Sequence, residues 1–135
     1  MSVFTVELKN QPGELAGLCE AMAGSGINLV LSATAQGESG TVLFIADDED
    51  GAETVLESAG IQYTMRPALT IRMDNQPGTG AATFRKLANA GINADLLLPV
   101  HVSDDLFFAV ICVDDMAKAD HALGGQVVHE RGPAL

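Results

Sequence analysis

The sequence Asn-Gln-Pro-Gly occurs at residues 10–13 and again at residues 75–78, 65 residues further along the chain. Gly-Ile-Asn follows at the same distance in both copies, at residues 26–28 and 91–93. Asn, Pro and Gly shape turns and rarely fill cores, so two equivalent loops are built on two equivalent scaffolds. A repeat of about half the chain therefore predicts a duplicated architecture.

The composition predicts a folded, acidic protein. Of the 135 residues, 47% are hydrophobic and 19% are charged, which is typical of globular proteins and argues against disorder. The formal net charge is −11, and there is no cluster of Lys or Arg that could neutralise phosphates. We therefore expect neither nucleic acid nor an anionic membrane surface as a partner, and we attribute the acidity to solubility.

The chain shows no pattern that predicts secretion or a membrane span. Its first residues lack a basic segment followed by an apolar stretch, so no signal peptide is predicted. The longest apolar run, at residues 106–113, is too short to cross a bilayer. Cys19 and Cys112 lie in apolar patterns without a CxxC spacing, which predicts buried thiols in a reducing compartment. A cytoplasmic protein is expected.

Each half begins with a predicted strand and an amphipathic helix. Apolar and polar residues alternate at 4–8 and 69–73, the pattern of a strand with one wet face. After each repeated loop, apolar residues recur at helical spacing. The predicted buried faces are Leu15, Leu18, Cys19 and Met22 in the first copy and Ala81, Phe84, Leu87 and Ala88 in the second. Pro12 is expected in the first turn of its helix, and Gly24 or Gly26 at the end.

The rest of each half predicts two strands, a second helix and a last strand. Asp50 is expected to cap the second helix of the first half, and Asp114 or Asp115 the corresponding helix of the second half. The predicted strands lie at residues 27–35, 41–46 and 61–65, and again at 92–101, 106–113 and 126–130.

Each half therefore has the order strand–helix–strand–strand–helix–strand. This order predicts an α+β fold of two tandem ferredoxin-like βαββαβ units, each an antiparallel sheet covered by helices on one face. The seam at residues 66–68 is too short to be a flexible tether. We expect the two domains at residues 1–66 and 67–135.

The repeated loop joins the first strand of each half to the first helix, and it is the strongest candidate for a binding site. Backbone N–H groups at a helix start are unpaired and attract carboxylates. Gly13 and Gly78 remove a side chain that would block approach, and each loop Asn supplies an amide that donates and accepts hydrogen bonds. With Asn28 and Asn93 at the start of the next strand, a small zwitterion such as an amino acid is the expected ligand.

A purely structural explanation of these residues stays open on the sequence alone. An Asn before Pro-Gly can serve only as a turn residue or a helix cap. An Asn after a helix can be present because it tolerates left-handed backbone. Both positions recur at identical spacing, although duplication preserves structural residues too.

Asn-x-Pro-Gly, a helix and Gly-Ile-Asn within a βαββαβ unit together resemble the ACT domain family, and two copies cover nearly the whole chain. The resemblance implies a stand-alone pair of ACT domains rather than a regulatory tail on an enzyme. It also implies that small ligands, usually amino acids, bind at interfaces between ACT units whose sheets align side by side.

Serine-binding members of the family contact the ligand with the loop Asn and with the Asn of Gly-[Ile/Val]-Asn. The resemblance therefore implies that Asn10 and Asn28 contact a ligand in the first copy, and Asn75 and Asn93 in the second. The same members often carry a His two residues before the loop Asn. Both copies here carry an apolar residue at that position, which removes one contact to serine.

The two copies differ at the start of the helix. Family helices usually begin Pro-Gly-x-Leu, as at Glu14 and Leu15, whereas the second copy carries Thr79 and Gly80. Losing Leu opens space beside the loop, and losing Glu removes a charge that would repel a carboxylate, so we expect the second loop to bind better. The candidate ligand-binding residues are Asn10, Gln11, Pro12, Gly13, Glu14, Leu15 and Asn28 in the first copy and Asn75, Gln76, Pro77, Gly78, Thr79, Gly80 and Asn93 in the second.

No other constellation in the sequence predicts chemistry. The acidic run at residues 47–51 lacks the alternating acids of an EF-hand loop, and His101 with Asp104 and Asp105 is a weak metal set, so neither a metal nor a cofactor is expected. Neither Cys neighbours a His, and no Ser lies in a nucleophile elbow. An enzyme is the least favoured interpretation.

The sequence thus predicts a non-enzymatic regulatory protein that binds an amino acid and then changes its association with a protein partner. The alternative is an assembly module whose loops only pair domains. The apolar second strands, at residues 27–31 and 96–100, look more buried than free edges should be. We therefore also expect a homodimer or a larger homo-oligomer, although pairing of the two halves within one chain would by itself explain one of these edges.

Overall fold

The computed structural model describes residues 1–129, so the predicted last strand at 126–130 extends one residue beyond the described part. Helices and strands follow the predicted order in both halves. In the first half they are β1 (Ser2–Lys9), α1 (Glu14–Gly24), β2 (Leu29–Gln36), β3 (Ser39–Ala46), α2 (Glu49–Ser58) and β4 (Tyr63–Pro67). In the second half they are β5 (Leu69–Asp74), α3 (Thr79–Asn89), β6 (Ala94–Val102), β7 (Leu106–Val113), α4 (Met116–Leu123), a short 3-10 helix (Gly124–Gln126) and β8 (Val127–Val128).

Each half forms its own four-stranded sheet. The strand order is β2-β3-β1-β4 in the first sheet and β6-β7-β5-β8 in the second. The pairings of β3 with β1 and β2, and of β7 with β5 and β6, are antiparallel. This is the predicted α+β fold of two ferredoxin-like units, and the prediction is confirmed. Two compact units result, one of residues 2–66 and one that contains residues 67–129.

The first unit has a core between its helices and one face of its sheet. Phe4 and Phe44, paired across β1 and β3, stack with ring centroids 4.9 Å apart. Leu18 of α1 and Leu56 of α2 close over them and are almost fully buried. Because a Phe or Leu cut to Ala in such a core costs about 2–5 kcal/mol, these contacts hold the sheet and helices together.

The second unit has an equivalent core, but the buried face of α3 differs from the predicted one. Leu87 is buried as predicted, whereas Ala81 and Ala88 are exposed and Thr83 is buried instead. The hydroxyl oxygen of Thr83 accepts a hydrogen bond of 2.9 Å from Nε2 of Gln126. That bond offsets the cost of burying a polar side chain. The spacing of apolar residues could not have predicted it.

The structure corrects the predicted cap of α2 and decides between the two predicted caps of α4. Asp48, not Asp50, caps α2, because its carboxylate accepts a hydrogen bond of 2.9 Å from the Gly51 N–H. Asp50 lies inside the first turn of that helix. Of the two candidates for α4, Asp115 is the cap and accepts from the Lys118 N–H at 3.0 Å. Both caps satisfy a backbone donor that would otherwise be unpaired.

Candidate functional site

The repeated loops have the same backbone in both units. Gly13 and Gly78 precede α1 and α3, each with φ of 90° in the left-handed region. This conformation explains the glycines, because other residues adopt it only with strain. Pro12 and Pro77 come before these glycines and so lie outside the helices, which corrects the expectation that Pro12 occupies the first turn.

Each loop asparagine ties its loop to the neighbouring hairpin. Nδ2 of Asn10 donates to the Gly37 carbonyl oxygen at 2.9 Å, and its backbone N–H donates to Glu38 at 2.8 Å. Asn75 repeats the arrangement, since its Nδ2 donates to the Ser103 carbonyl oxygen at 2.7 Å. The amide nitrogens of Asn10 and Asn75 therefore have a purely structural role, which is to hold the loop in place. Within residues 1–129, the amide oxygens have no donor and remain able to accept a bond from a ligand.

The helix starts leave backbone donors without acceptors. The N–H of Glu14 bonds to Gln11 at 3.4 Å and that of Gly17 to Gly13 at 2.8 Å. Between them, the N–H groups of Leu15 and Ala16 have no acceptor in the part of the chain that the structure describes. Such groups, at the positive end of the helix dipole, favour a carboxylate.

The start of α3 has the same arrangement, but Gly80 stands where α1 has the side chain of Leu15. The N–H of Thr79 bonds to Gln76 at 3.3 Å and that of Ala82 to Gly78 at 3.0 Å. A Cβ built on Gly80 would meet no atom within 4 Å. The helix start of the second unit is therefore open on the helix side, as the exchange of Leu15 for Gly80 suggested.

Asn28 and Asn93 lie at the far end of their sheets. The Asn28 N–H donates to Oδ1 of Asp47 at 3.0 Å, and the Asn93 N–H donates to Oδ1 of Asp114 at 3.0 Å. The strand β2 separates Asn28 from the hairpin that holds Asn10, and its 8 residues span roughly 25 Å at about 3.3 Å each. One unit therefore cannot bring both asparagines to one small ligand, and a site that uses both must draw on two units.

A cavity of about 240 Å³ lies beside the first loop. Its rim is polar and includes Lys9, Asn10, Gln11 and Glu14. Leu15 forms one wall, and because its side chain is 40% exposed it lines the space instead of plugging it. Of the residues predicted in the first copy, four border the cavity, namely Asn10, Gln11, Glu14 and Leu15, whereas Pro12, Gly13 and Asn28 do not. The strands beneath the loop complete the cavity.

The floor of this cavity was not identified from the sequence. It consists of small and aliphatic residues of the sheet, which are Leu8, Ala33, Ala35, Gly40 and Val42. Strand alternation could have placed Leu8 on the apolar face of β1 together with Phe4 and Val6. The approach of β2 and β3 to the loop depends on the register of the hairpin, which no local pattern supplies.

The described residues outside the loops and the cavity were compared with the other kinds of site that the sequence suggested. Within residues 1–129 no cluster of His, Cys, Asp and Glu could hold a metal ion. Cys112 is buried, as predicted, and Cys19 is only partly buried. None of the helices in this described region has both the length and the apolar character that crossing a membrane requires. The first-unit cavity and the two repeated loops remain the candidates.

Comparisons with known proteins agree with this architecture. The family described as an ACT domain pair matches residues 1–121. A protein from Bacteroides thetaiotaomicron has a similar structure, with a TM-score of 0.82 at 23% identity over 90% of this chain and 85% of that chain. The ligand-free regulatory subunit of aspartate kinase from Thermus thermophilus gives 0.68 at 20% identity, over 90% and 86%. The same subunit from Thermus flavus gives 0.66 at 19% identity, over 90% and 88%. No curated protein matches the chain.

Proposed function

The chain belongs to the family of ACT domain pairs, and we propose that it is a non-catalytic regulatory protein that binds an amino acid at its repeated loops. Among the structures that it resembles are regulatory subunits of aspartate kinase. In this proposal, ligand binding at the interface between ACT units changes how the chain associates with a second copy or with a regulated protein.

The observation that carries the proposal is the cavity beside the first loop and its set of unpaired polar groups. The free N–H groups of Leu15 and Ala16 suit an α-carboxylate. The amide oxygen of Asn10 and the carboxylate of Glu14, both at the rim, suit an α-ammonium group. Donors for an anion and acceptors for a cation on one small rim match the two ends of an amino acid.

The outer edge of β2 is the surface that we propose for a second copy. β2 lies at the edge of the first sheet, and its pairing with β3 runs without a register shift. The strand contains neither a charged residue nor a proline, so it lacks the usual features that block strand addition. By contrast β6, at the edge of the second sheet, carries Pro99 and two register shifts.

Such an assembly would also bring the separated asparagines together. Antiparallel pairing of two β2 strands places the loop end of one strand beside the start of the other. Asn10 of one copy would then lie near Asn28 of the other, which a single unit does not allow. A ligand held by both residues would bind the dimer more tightly than the monomer and so couple binding to association.

The assembly module without a small ligand is the second candidate. It is favoured by the hydrogen bonds from Asn10 to Gly37 and from Asn75 to Ser103, since these give the repeated asparagines a structural role. For either function we propose a cytoplasmic location and domain limits at residues 1–66 and 67–135, of which residues 130–135 lie outside the described part.

Thermal melts with each common amino acid separate the two candidates. A ligand present at about 100 times its Kd stabilises the folded state by about 2.7 kcal/mol, so one or a few amino acids should raise the melting temperature. Asn10→Ala should reduce that rise. A melting temperature that no amino acid changes would exclude the regulatory proposal and support the assembly module.

A further inference from the structure

We propose that the ligand site lies in the first unit alone and takes an α-amino acid with an aliphatic side chain. This inference rests on the amino-acid-binding function proposed above and adds which unit binds and which ligands fit. It depends on one difference between the two sheets, Gly40 in the first and Phe107 in the second.

Gly40 and Phe107 occupy the same place in their sheets. Gly40 of β3 pairs with Leu8 of β1, and Phe107 of β7 pairs with Met73 of β5. Leu8 and Met73 each stand two residues before the loop asparagine. Both positions therefore lie next to a repeated loop, and they can be compared directly.

Because Gly40 has no side chain, it leaves space above the sheet in the first cavity. Its φ is not in the left-handed region, so the backbone does not require a glycine there. A Cβ at this position would make ordinary contacts, at 3.5 Å from the Thr34 carbonyl oxygen and 3.6 Å from that of Leu8. Because Gly40 lines the cavity, a side chain larger than a methyl group would extend into it.

Phe107 fills the corresponding place in the second unit. Its side chain is partly buried and packs against the core of that unit. Its partner in β6 is Val102, where the first unit pairs Ala35 with Gly40. The second floor thus carries more side-chain volume at both positions, which counteracts the space opened at the helix start by Gly80. This reverses the expectation that the second loop is the better site.

The chemistry of the first floor selects the side chain of the ligand. Leu8, Val42 and the two alanines present only hydrocarbon, and the polar side chains of the lining other than Thr34 lie at the rim. Thr34 stands between the two alanines, so strand alternation directs its side chain to the other face of the sheet. An aliphatic side chain gains free energy by covering this floor, whereas a polar one loses its water without finding a partner. The volume of about 240 Å³ is below the roughly 300 Å³ at which sites for drug-sized ligands begin, and it suits a single amino acid.

Isothermal titration of the full chain with valine, leucine, serine, aspartate and lysine tests the inference. We expect one equivalent of valine or leucine per chain, and binding of the three polar amino acids that is about tenfold weaker or more. Gly40→Phe should weaken valine binding by about tenfold or more, and Gly40→Ala by no more than about threefold. Phe107→Ala is the matched change in the second unit and should leave the affinity of the first site unaltered.

Circular dichroism melts show whether each variant is folded. Ala35→Leu raises the same floor from the neighbouring strand and should give the same loss of valine binding if Gly40→Phe does not fold. If no amino acid binds the parent chain, the proposed function itself fails. If amino acids bind at two equivalents per chain, if polar ones bind more tightly, or if a folded floor variant keeps its affinity, this inference alone is overturned.

Discussion

The side-chain nitrogen of Asn10 donates a hydrogen bond of 2.9 Å to the carbonyl oxygen of Gly37 and thereby joins the β1–α1 loop to the β2–β3 hairpin. Asn75 and Ser103 make the same connection at 2.7 Å in the second unit. Each bond holds a loop in place, and the amide oxygen of each asparagine has no hydrogen-bond donor within residues 1–129. The two units share this hydrogen bond but differ in the residues at the cavity floor. Substitutions in the two loops should therefore have different consequences.

Asn10→Ala and Asn75→Ala should lower stability to similar extents and ligand affinity to different extents. Each removes one exposed hydrogen bond, for which we expect a loss of about 1 kcal/mol in the free energy of unfolding, measured by urea denaturation. Only Asn10→Ala should weaken valine binding in isothermal titration. Equal losses of affinity in both variants, or a loss confined to Asn75→Ala, would contradict the assignment to the first unit.

Asp48→Ala should destabilise the protein more than Asp50→Ala. Asp48 accepts the Gly51 N–H at 2.9 Å at the start of α2, and its removal should cost about 1 kcal/mol. Asp50, in the first turn, contributes only a weak interaction with the helix dipole, and its loss should cost about 0.5 kcal/mol or less. Urea denaturation of both variants measures the difference, and a larger effect at Asp50 would refute the observed cap.

Tyr63 makes the first unit sensitive to alkaline pH. Its hydroxyl oxygen lies 3.0 Å from a carboxylate oxygen of Glu53 and 3.0 Å from one of Glu57. Burial, followed by hydrogen bonding of the single hydroxyl proton to the Glu57 and Glu53 carboxylates, raises the pKa of Tyr63 from 10.0 to about 12. Since the folded pKa is the higher one, the stabilisation is complete below about pH 10 and is lost as the pH rises toward 12.

The titration of Tyr63 can be measured directly because the chain has a single Tyr and no Trp. Near-ultraviolet absorbance of the tyrosinate should show a pKa near 12 in the folded protein and near 10.0 in urea. In Tyr63→Phe, the urea midpoint should fall less steeply above pH 10 than in the parent chain. A folded-state pKa close to the unfolded value would show that the contacts with the two glutamates do not persist.

Thr34→Lys should weaken self-association, and His101→Lys should not. Thr34 of β2 pairs with Thr41 of β3, and His101 of β6 pairs with Phe108 of β7, so the two residues occupy equivalent places on their edge strands. A lysine on the edge of β2 would put like charges close together when two copies pair. Light scattering coupled to gel filtration, across a concentration series, measures the effect. A monomeric parent chain, or equal effects of the two lysines, would rule out the β2 interface.

Much of the fold was predictable because its signals are local. Alternation at Phe4, Val6 and Leu8 and helical spacing at Leu18 and Met22 each reflect a face that must be buried, and the structure buries these residues wholly or partly. Where polar groups decide the outcome, the local pattern was insufficient. Thr83 is buried because Gln126, far away in the sequence, supplies its hydrogen bond.

The candidate site was predictable only in part. Asn10 and Gln11 were identified from the repeat, and both border the cavity. The sequence did not show that Asn10 and Asn28 of one unit are too far apart to contact the same small ligand. No local pattern reveals that an extended strand separates them. Whether both copies bind, and whether Asn28 contacts the ligand, remain predictions.

The sequence by itself determined the duplication and the βαββαβ order of each unit, since propensity and periodicity act over a few residues. Only the tertiary structure decided which loop has an open floor. Two register shifts within β6 add two residues to the second unit, so Phe107 and not the residue at the repeat spacing stands where the first unit has Gly40. Strand register depends on pairing between distant segments, and a side chain or its absence acquires meaning only after that pairing is formed.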